Sequence, residues 1–202
     1  MTKRVLSLLT VALMMFVGVT YARAENAAPA AAPSADQTPA PTLDPENTLY
    51  MDLPFGRVVI ELRPDKAPKT VARIKELVRQ HFYDGLAFHR VIPGFMAQGG
   101  DPKGDGTGGS GQTIPAEFND MHHLRGTISM ARSSDPNSAD SQFFICFAPA
   151  PFLDGQYTAF GRVVSGMEYV DMIKKGNEEY DGEVQDPTRI VKMQVMADAI
   201  KK

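Results

Sequence analysis

The sequence predicts a mainly β protein: a closed eight-stranded antiparallel barrel with two α-helices. Short strand-like runs recur from residue 48 onward, separated by glycine and proline turns. Only two segments have helical periodicity, so strands and helices do not alternate as a parallel βαβ sheet requires. The 202 residues are 43% hydrophobic and 22% charged. That composition can bury a core, and it excludes disordered chains and multipass membrane proteins.

Residues 48–79 give the clearest elements. Strands are predicted over 48–53 and 57–62, joined as a hairpin by the turn at 54–56. A helix of about 13 residues should begin at Pro68, because a first helical turn does not need the missing N–H. Its apolar stripe is one-sided and therefore faces the core. The stripe consists of Val71, Ile74, Leu77 and Val78.

Six more strands and one more helix complete the predicted domain. The strands are predicted over residues 87–92, 95–98, 126–130, 142–147, 159–164 and 189–196. The second helix is predicted over 167–174, and Gly176 supplies its stop.

The N-terminus predicts a cleaved secretory signal peptide over residues 1–24. Lys3 and Arg4 precede an apolar run at 5–19, and residues 22–24 have the small-x-small pattern of a signal peptidase site. The mature chain should then begin at Glu25 in a bacterial periplasm, with secretion as the alternative. If it stayed uncleaved, the apolar run would act as a signal anchor.

Residues 25–47 are rich in alanine and proline and predict a disordered linker before a domain over 48–202. The formal net charge is −3, and the predicted signal peptide contains only basic charged residues. Affinity for nucleic acid comes mostly from clustered Lys and Arg, so we expect no nucleic-acid partner. After cleavage we expect no stable membrane insertion, and we expect a monomer.

The glycine-rich residues 99–111 resemble three binding motifs, and each fails on its context. Gly104, Gly106 and Gly109 match GxGxxG, but no helix follows to bind a pyrophosphate, and the lysine and hydroxyl of a P-loop are missing. As a calcium loop the segment has Lys103 at the third position and Gln112 at the twelfth, where a carboxylate is needed. We interpret the segment as a loop beside a cleft.

Cysteine and histidine usage predicts no metal site and no cofactor. Cys146, the only cysteine, lies in an apolar run and is predicted to be buried, and an internal disulfide is impossible. His122 and His123 lack further ligands at a recognisable spacing, so we interpret them as a solvated turn.

Four segments strongly resemble the cyclophilin family. They are FHRVIPGFMAQGGD at 88–101, GTISMA at 126–131, SQFFIC at 141–146 and FLDG at 152–155. The resemblance covers about residues 48–200. It implies peptidyl-prolyl cis-trans isomerase activity, without metal or covalent intermediate, on an eight-stranded barrel capped by two helices. The implied partners are proline-containing unfolded or flexible polypeptides, here exported chains whose folding is assisted.

The resemblance also implies roles for individual residues. It places the catalytic arginine at Arg90, with His89 as a structural neighbour. The implied proline pocket consists of Phe95, Met96, Phe144 and Leu153. The implied substrate-backbone contacts are Gln98, Ala131, Arg132 and Gln142, and the implied rim is Phe152 and Tyr157.

This sequence departs from the common eukaryotic pattern at the rim. Phe152 replaces a tryptophan, Tyr157 a histidine and Arg132 an asparagine, and residues 133–140 are one residue longer. These departures bear on peptide preference and on binding of the family's inhibitor cyclosporin.

Two other functions stay open at this point. The same pocket could serve a chaperone module that binds proline peptides without turning them over. Alternatively, residues 25–47 could tether a surface scaffold. The presence of Arg90 favours catalysis.

Overall fold

The computed structural model describes residues 42–201, and these form eight strands and three helices. The predicted signal peptide and residues 25–41 of the predicted linker lie outside the described residues. The strands are β1 (Thr48–Leu53), β2 (Gly56–Leu62), β3 (Arg90–Ile92), β4 (Met96–Gly99), β5 (Thr127–Met130), β6 (Phe143–Cys146), β7 (Ala159–Ser165) and β8 (Lys192–Val195). The helices are α1 (Pro68–Arg79), α2 (Met167–Asp171) and α3 (Met196–Ala199). Within residues 42–201 the structure contains no helix with the length and hydrophobicity of a membrane span.

All eight strands belong to one antiparallel sheet, as predicted, with the order β3-β4-β6-β5-β7-β2-β1-β8. The predicted closed barrel is wrong, because β3 and β8 lie at opposite edges of the sheet and form no ladder with each other. The structure is an open half-barrel. The segments that precede β3 and β8 contact each other through the bridge between Ala87 and Arg189 and through backbone hydrogen bonds between residues 85–88 and 188–190.

The barrel stays open because the free edge of β3 is already bonded to another segment. The N–H of Val91 donates to the carbonyl of Gly182 at 2.7 Å, and the N–H of Gly176 donates to the carbonyl of Val91 at 2.9 Å. The predicted strands at 87–92 and 189–196 are correspondingly shorter in the structure. A three-residue β3 with both edges bonded has no groups left to pair with β8.

The main core lies on one face of the sheet and is covered by α1. The predicted apolar stripe of α1 is confirmed, since its four residues are all buried, and α1 packs against β8. Alternation along β6 divides its side chains between two faces: Phe143 and Ile145 enter this core, whereas Phe144 and Cys146 enter a second apolar cluster.

Two further elements differ from the sequence-based expectation. Helix α2 ends at Asp171, earlier than predicted, and Met196 begins α3 instead of ending a strand. Residues 45–47, the last of the predicted linker, form a 3-10 turn whose first N–H groups are capped by Asp44. This turn contacts α3 and β8.

Candidate active site

One open cavity of about 410 Å³ brings together every predicted site residue except Gln142. It lies where β3, β4 and β6 meet the loop around residues 150–157. Its lining consists of Arg90, Phe95, Met96, Gln98, Ala131, Arg132, Phe144, Phe152, Leu153, Gln156 and Tyr157. Gln156 is the one lining residue that the sequence analysis did not include. The roles of these residues stay predictions.

The floor of the cavity is apolar because strand register places its side chains on one face. Gln98 lies opposite Phe144 in the β4–β6 ladder, and Met96 is two residues from Gln98, so all three point to the same side. Met96, Phe144 and Leu153 are buried in the second apolar cluster, where Cys146 and Ala150 support them from below. The floor is therefore a packed apolar surface.

Aromatic rings form the rim. Phe95 and Phe152 are 5.5 Å apart between ring centroids, and Phe144 and Tyr157 meet edge to face at 5.8 Å. Phe152 is 63% exposed, although it is a large apolar side chain. An exposed aromatic ring beside an apolar floor favours contact with a ligand.

A chain of polar side chains forms the opposite wall. Arg90 Nη1 donates to Gln98 Oε1 at 3.1 Å, and Gln98 Nε2 donates to Gln142 Oε1 at 2.9 Å. Gln142 Nε2 in turn donates to the carbonyls of Gly106 and Gly108. Gln142 thus lies behind Gln98, where it orients the Gln98 amide and ties the glycine-rich loop to the site.

Arg90 has a second partner, Asp181, that the sequence analysis missed. The two side chains form a bidentate ion pair, with Nη2 2.8 Å from Oδ1 and Nε 3.1 Å from Oδ2. The Arg90 guanidinium holds the pKa of the Asp181 carboxyl below its usual range. The residues are 91 positions apart, and no motif or spacing connects them in the sequence.

Arg132 lies at the other end of the cavity and is fixed by the rim. Its guanidinium stacks 4.6 Å from the centroid of the Tyr157 ring and donates to the carbonyls of Gln156 and Ser133. A cation held in this way adds positive charge to the rim without blocking the floor.

The histidines differ in their surroundings. The expectation of a solvated turn is wrong for His123, which is buried, stacks on Phe144 and hydrogen-bonds to Asp154 and Ser129. His122 is exposed, as expected. His89 is buried beside Arg90, and burial lowers the pKa of its imidazole, which favours the neutral ring.

Cys146 is completely buried, as predicted, and burial raises the pKa of its thiol to about 12. It therefore supplies no thiolate to the cavity at neutral pH. Within residues 42–201, no group of three or more histidine, cysteine, aspartate or glutamate side chains could hold a metal ion. What the cavity offers is an apolar cup with a fixed guanidinium at its edge. That arrangement can bind a small apolar ring and donate a charged hydrogen bond to it.

Comparison with known proteins gives consistent matches over this part of the chain. The family model described as cyclophilin type peptidyl-prolyl cis-trans isomerase matches residues 48–195. A probable peptidyl-prolyl cis-trans isomerase of Brucella suis is 56% identical over 167 residues, covering 77% of this chain and 85% of that protein. Peptidyl-prolyl cis-trans isomerase B of Bacillus subtilis is 47% identical over 124 residues, covering 60% of this chain and 86% of that protein.

Solved structures show the same fold. Cyclophilin AquaCyp293 from Hirschia baltica superposes with a TM-score of 0.69 at 28% identity, covering 77% of this chain and 76% of that chain. A Cryptosporidium parvum cyclophilin determined in the presence of the dipeptide Ala-Pro gives a TM-score of 0.68 at 30% identity, covering 73% of this chain and 98% of that chain.

Proposed function

This chain belongs to the cyclophilin family of peptidyl-prolyl cis-trans isomerases, and from that premise we propose that Arg90 and its cavity catalyse X-Pro rotation in exported polypeptides. The observation that carries the proposal is the position of the Arg90 guanidinium at the edge of an apolar cup. The enzyme needs no nucleophile, because no bond is broken in this reaction. Its task is to stabilise a twisted amide.

The barrier to this rotation comes from amide resonance and is about 18–20 kcal/mol. Without a catalyst, prolyl isomerisation therefore takes tens of seconds or more. Twisting the bond removes the conjugation and returns a basic lone pair to the prolyl nitrogen. A guanidinium that donates to this lone pair binds the transition state better than the planar ground state, and this difference accelerates the reaction.

The other cavity residues confine the rotation to one bond. The floor formed by Met96, Phe144 and Leu153 suits the pyrrolidine ring in size and polarity. Gln98 lies next to Arg90, where its amide can hydrogen-bond to the peptide backbone of a substrate. With the ring held on one side and the backbone on the other, thermal motion twists the amide between them.

The exported location is part of the proposal and is supported by the N-terminal sequence. Basic residues, an apolar run and Ala22-Arg23-Ala24 together fit a cleaved signal of a bacterial exported protein, and the periplasm is the compartment we propose. Intact-mass measurement on the exported fraction tests this. The expected chain begins at Glu25, and a mass that retains residues 1–24 would contradict cleavage.

A protease-coupled assay on a cis-prolyl peptide tests catalysis. Arg90→Ala is expected to lower kcat/KM by about 10²-fold or more, which equals about 2.7 kcal/mol of barrier. Arg162→Ala is the matched control, because Arg162 is exposed and pairs with Glu61 outside the cavity. Circular dichroism first establishes that each variant is folded. Equal turnover in wild type and Arg90→Ala would refute the role of Arg90.

The exposed Phe152 ring also fits a second candidate, a chaperone module that holds proline-containing chains. The two functions differ in turnover. Saturable peptide binding without acceleration of isomerisation would support the module, whereas clear turnover supports the enzyme.

A further inference from the structure

The ion pair between Arg90 and Asp181 is built into the fold by the turn that carries Asp181. This turn follows a 3-10 helix at Glu178–Tyr180, and Asp181 has a left-handed backbone with φ of 52°. Its neighbour Gly182 also has a positive φ, and a Cβ there would lie 2.6 Å from the side chain of Ile92. Only glycine therefore lets the turn approach β3 this closely.

Backbone hydrogen bonds hold the turn to the same strand that carries Arg90. In addition to the two bonds of Val91 described above, the N–H of Val184 donates to the carbonyl of His89 at 3.0 Å. The residues on both sides of Arg90 in the sequence are thus bonded to the segment around Asp181. The guanidinium and the carboxylate are therefore carried by two segments that backbone hydrogen bonds join directly.

Three acceptors fix the orientation of the guanidinium. The Asp181 carboxylate accepts hydrogen bonds from Nε and Nη2 of Arg90. The backbone carbonyl of Asp181 also accepts from Nε, at 3.0 Å, and Gln98 Oε1 accepts from Nη1. A guanidinium has five N–H donors in a fixed plane, so donors remain for a substrate. Without these contacts, the arginine side chain would lose conformational entropy each time it bound the transition state, and this loss would raise the barrier.

Because the Asp181 side chain is exposed, removing the ion pair should change kcat more than folding stability. The Asp181 side chain is 79% exposed, and exposed ion pairs contribute little to folding stability. Positioning of a catalytic donor is far more sensitive, because a displacement of about 1 Å can cost up to 10²-fold in rate. A large effect on kcat with a small effect on stability is thus physically consistent.

We propose that Asp181 is a positioning residue, which holds the Arg90 guanidinium in the orientation that meets the twisted prolyl amide. This inference rests on the proposed function of Arg90. Asp181 acts through Arg90 and does not itself contact the substrate. Its carboxylate and the Gln98 amide together define the plane of the guanidinium before substrate arrives.

The chain offers a matched control in Arg125 and Asp171. These residues also form an ion pair in which two guanidinium nitrogens contact the two carboxylate oxygens, at 2.9 and 2.6 Å, and neither lines the cavity of Arg90. Asp171→Ala therefore removes an equivalent ion pair without disturbing the site.

The test is a double-mutant cycle in the prolyl isomerase assay. Asp181→Ala is expected to lower kcat about tenfold while KM changes less than twofold. Asp181→Glu keeps a carboxylate within reach and should recover part of the loss, whereas Asp171→Ala should leave kcat at the wild-type value. In an Arg90→Ala background, Asp181→Ala should have no further effect, because the group that it positions is absent.

The outcomes separate this inference from the proposed function. If Arg90→Ala retains full turnover, both fail. If Arg90→Ala loses turnover but Asp181→Ala does not, only the positioning role is overturned. An equal loss from Asp181→Ala in both backgrounds, or a loss confined to melting temperature, also overturns it. Should Asp181→Ala fail to fold, Asp181→Asn, which keeps one carbonyl acceptor, takes its place in the cycle: kcat should fall by less than tenfold in the wild-type background and not at all in the Arg90→Ala background, and an unchanged kcat in the wild-type background would overturn the positioning role.

Discussion

The carboxylate of Glu117 accepts two hydrogen bonds from Thr70, one from the backbone N–H and one from the hydroxyl, each at 2.8 Å. The N–H of Lys69 donates to the other oxygen of the same carboxylate at 3.0 Å. Helix α1 begins at this point, and its N-cap residue Ala67 has no side chain that could accept these bonds. Glu117 therefore caps α1 from a distant loop and places negative charge at the positive end of the helix.

Removing this cap should destabilise the protein. Glu117→Ala leaves two N–H donors and a hydroxyl without their acceptor, so the free energy of unfolding is expected to fall by about 1–3 kcal/mol. Glu117→Gln keeps one carbonyl acceptor and should lose less. Urea denaturation measures both variants. The control is Glu179→Ala, since Glu179 is exposed and, among residues 42–201, its side chain makes no hydrogen bond. Equal unfolding midpoints for Glu117→Ala and wild type would contradict the capping role.

Asp154 should make stability depend on acid pH. The backbone N–H of His123, followed by the side chains of His122 and His123, holds the pKa of the Asp154 carboxyl well below its usual range. An unfolded aspartate has a pKa of about 3.9. Because the folded pKa is lower, the stabilisation is fully present above about pH 4 and is lost as the pH falls further.

Melting temperatures of wild type and Asp154→Asn between pH 7 and pH 3 test this dependence. The variant should melt lower at pH 7, and the gap should narrow below pH 4. Asp186→Asn serves as control, because that carboxylate is exposed and makes no hydrogen bond within the described residues. A gap of constant size across the range would show that the lost contacts do not depend on the charge.

Cys146 should be unreactive in the folded protein. With the pKa of its thiol raised to about 12 by burial, only about 10⁻⁴ of the thiol is ionised at pH 8, and thiolate is the reactive form. A chromogenic disulfide reagent should therefore modify no thiol in buffer and one thiol per chain in denaturant. Stoichiometric labelling of the native protein within minutes would contradict the burial of Cys146.

Phe152→Trp should increase sensitivity to cyclosporin. The tryptophan found at this position in typical eukaryotic relatives supplies an N–H donor that a phenyl ring lacks. An acceptor on the bound drug that is left without this partner costs about 1–3 kcal/mol, or one to two decades in affinity. We therefore expect weak inhibition of the wild type and tighter inhibition of the variant.

Titration of cyclosporin against the wild type and Phe152→Trp in one isomerase assay tests this expectation. Phe118→Trp is the matched control, because Phe118 is an exposed phenylalanine that does not line the cavity. Potent inhibition of the wild type, or no gain in Phe152→Trp, would show that this rim residue does not set drug affinity.

Patterns among neighbouring residues predicted the elements that depend on local interactions. The β1–β2 hairpin and α1 follow from alternation, turn residues and one apolar stripe, and the structure confirms them. The closed barrel was wrong because closure depends on which partner bonds the edge of β3, and Gly176 and Gly182 are remote in sequence from it. Hydrogen bonds between residues that are distant in the sequence produce no periodic pattern from which they could be predicted.

In the candidate site, too, residues that are close in sequence were predicted and contacts between distant residues were not. The resemblance of residues 88–101 to the cyclophilin family implied that Arg90, Phe95, Met96 and Gln98 share one site, and the cavity contains all four. Asp181, Glu117 and the buried His123 were missed because each is defined by a partner that only the fold brings near. In a single sequence, an exposed aspartate in a polar turn and one that orients an arginine look alike.

The segment that bonds to the outer edge of β3 also limits how a polypeptide substrate can bind beside Arg90. A strand edge with free N–H and C=O groups is a template for intermolecular β-pairing and aggregation. Val91 has both groups occupied by Gly182 and Gly176, so an incoming chain finds no vacant backbone ladder beside Arg90. A polypeptide substrate at Arg90 therefore cannot bind by extending the sheet at Val91, and the contacts available to it there are those of the cavity side chains.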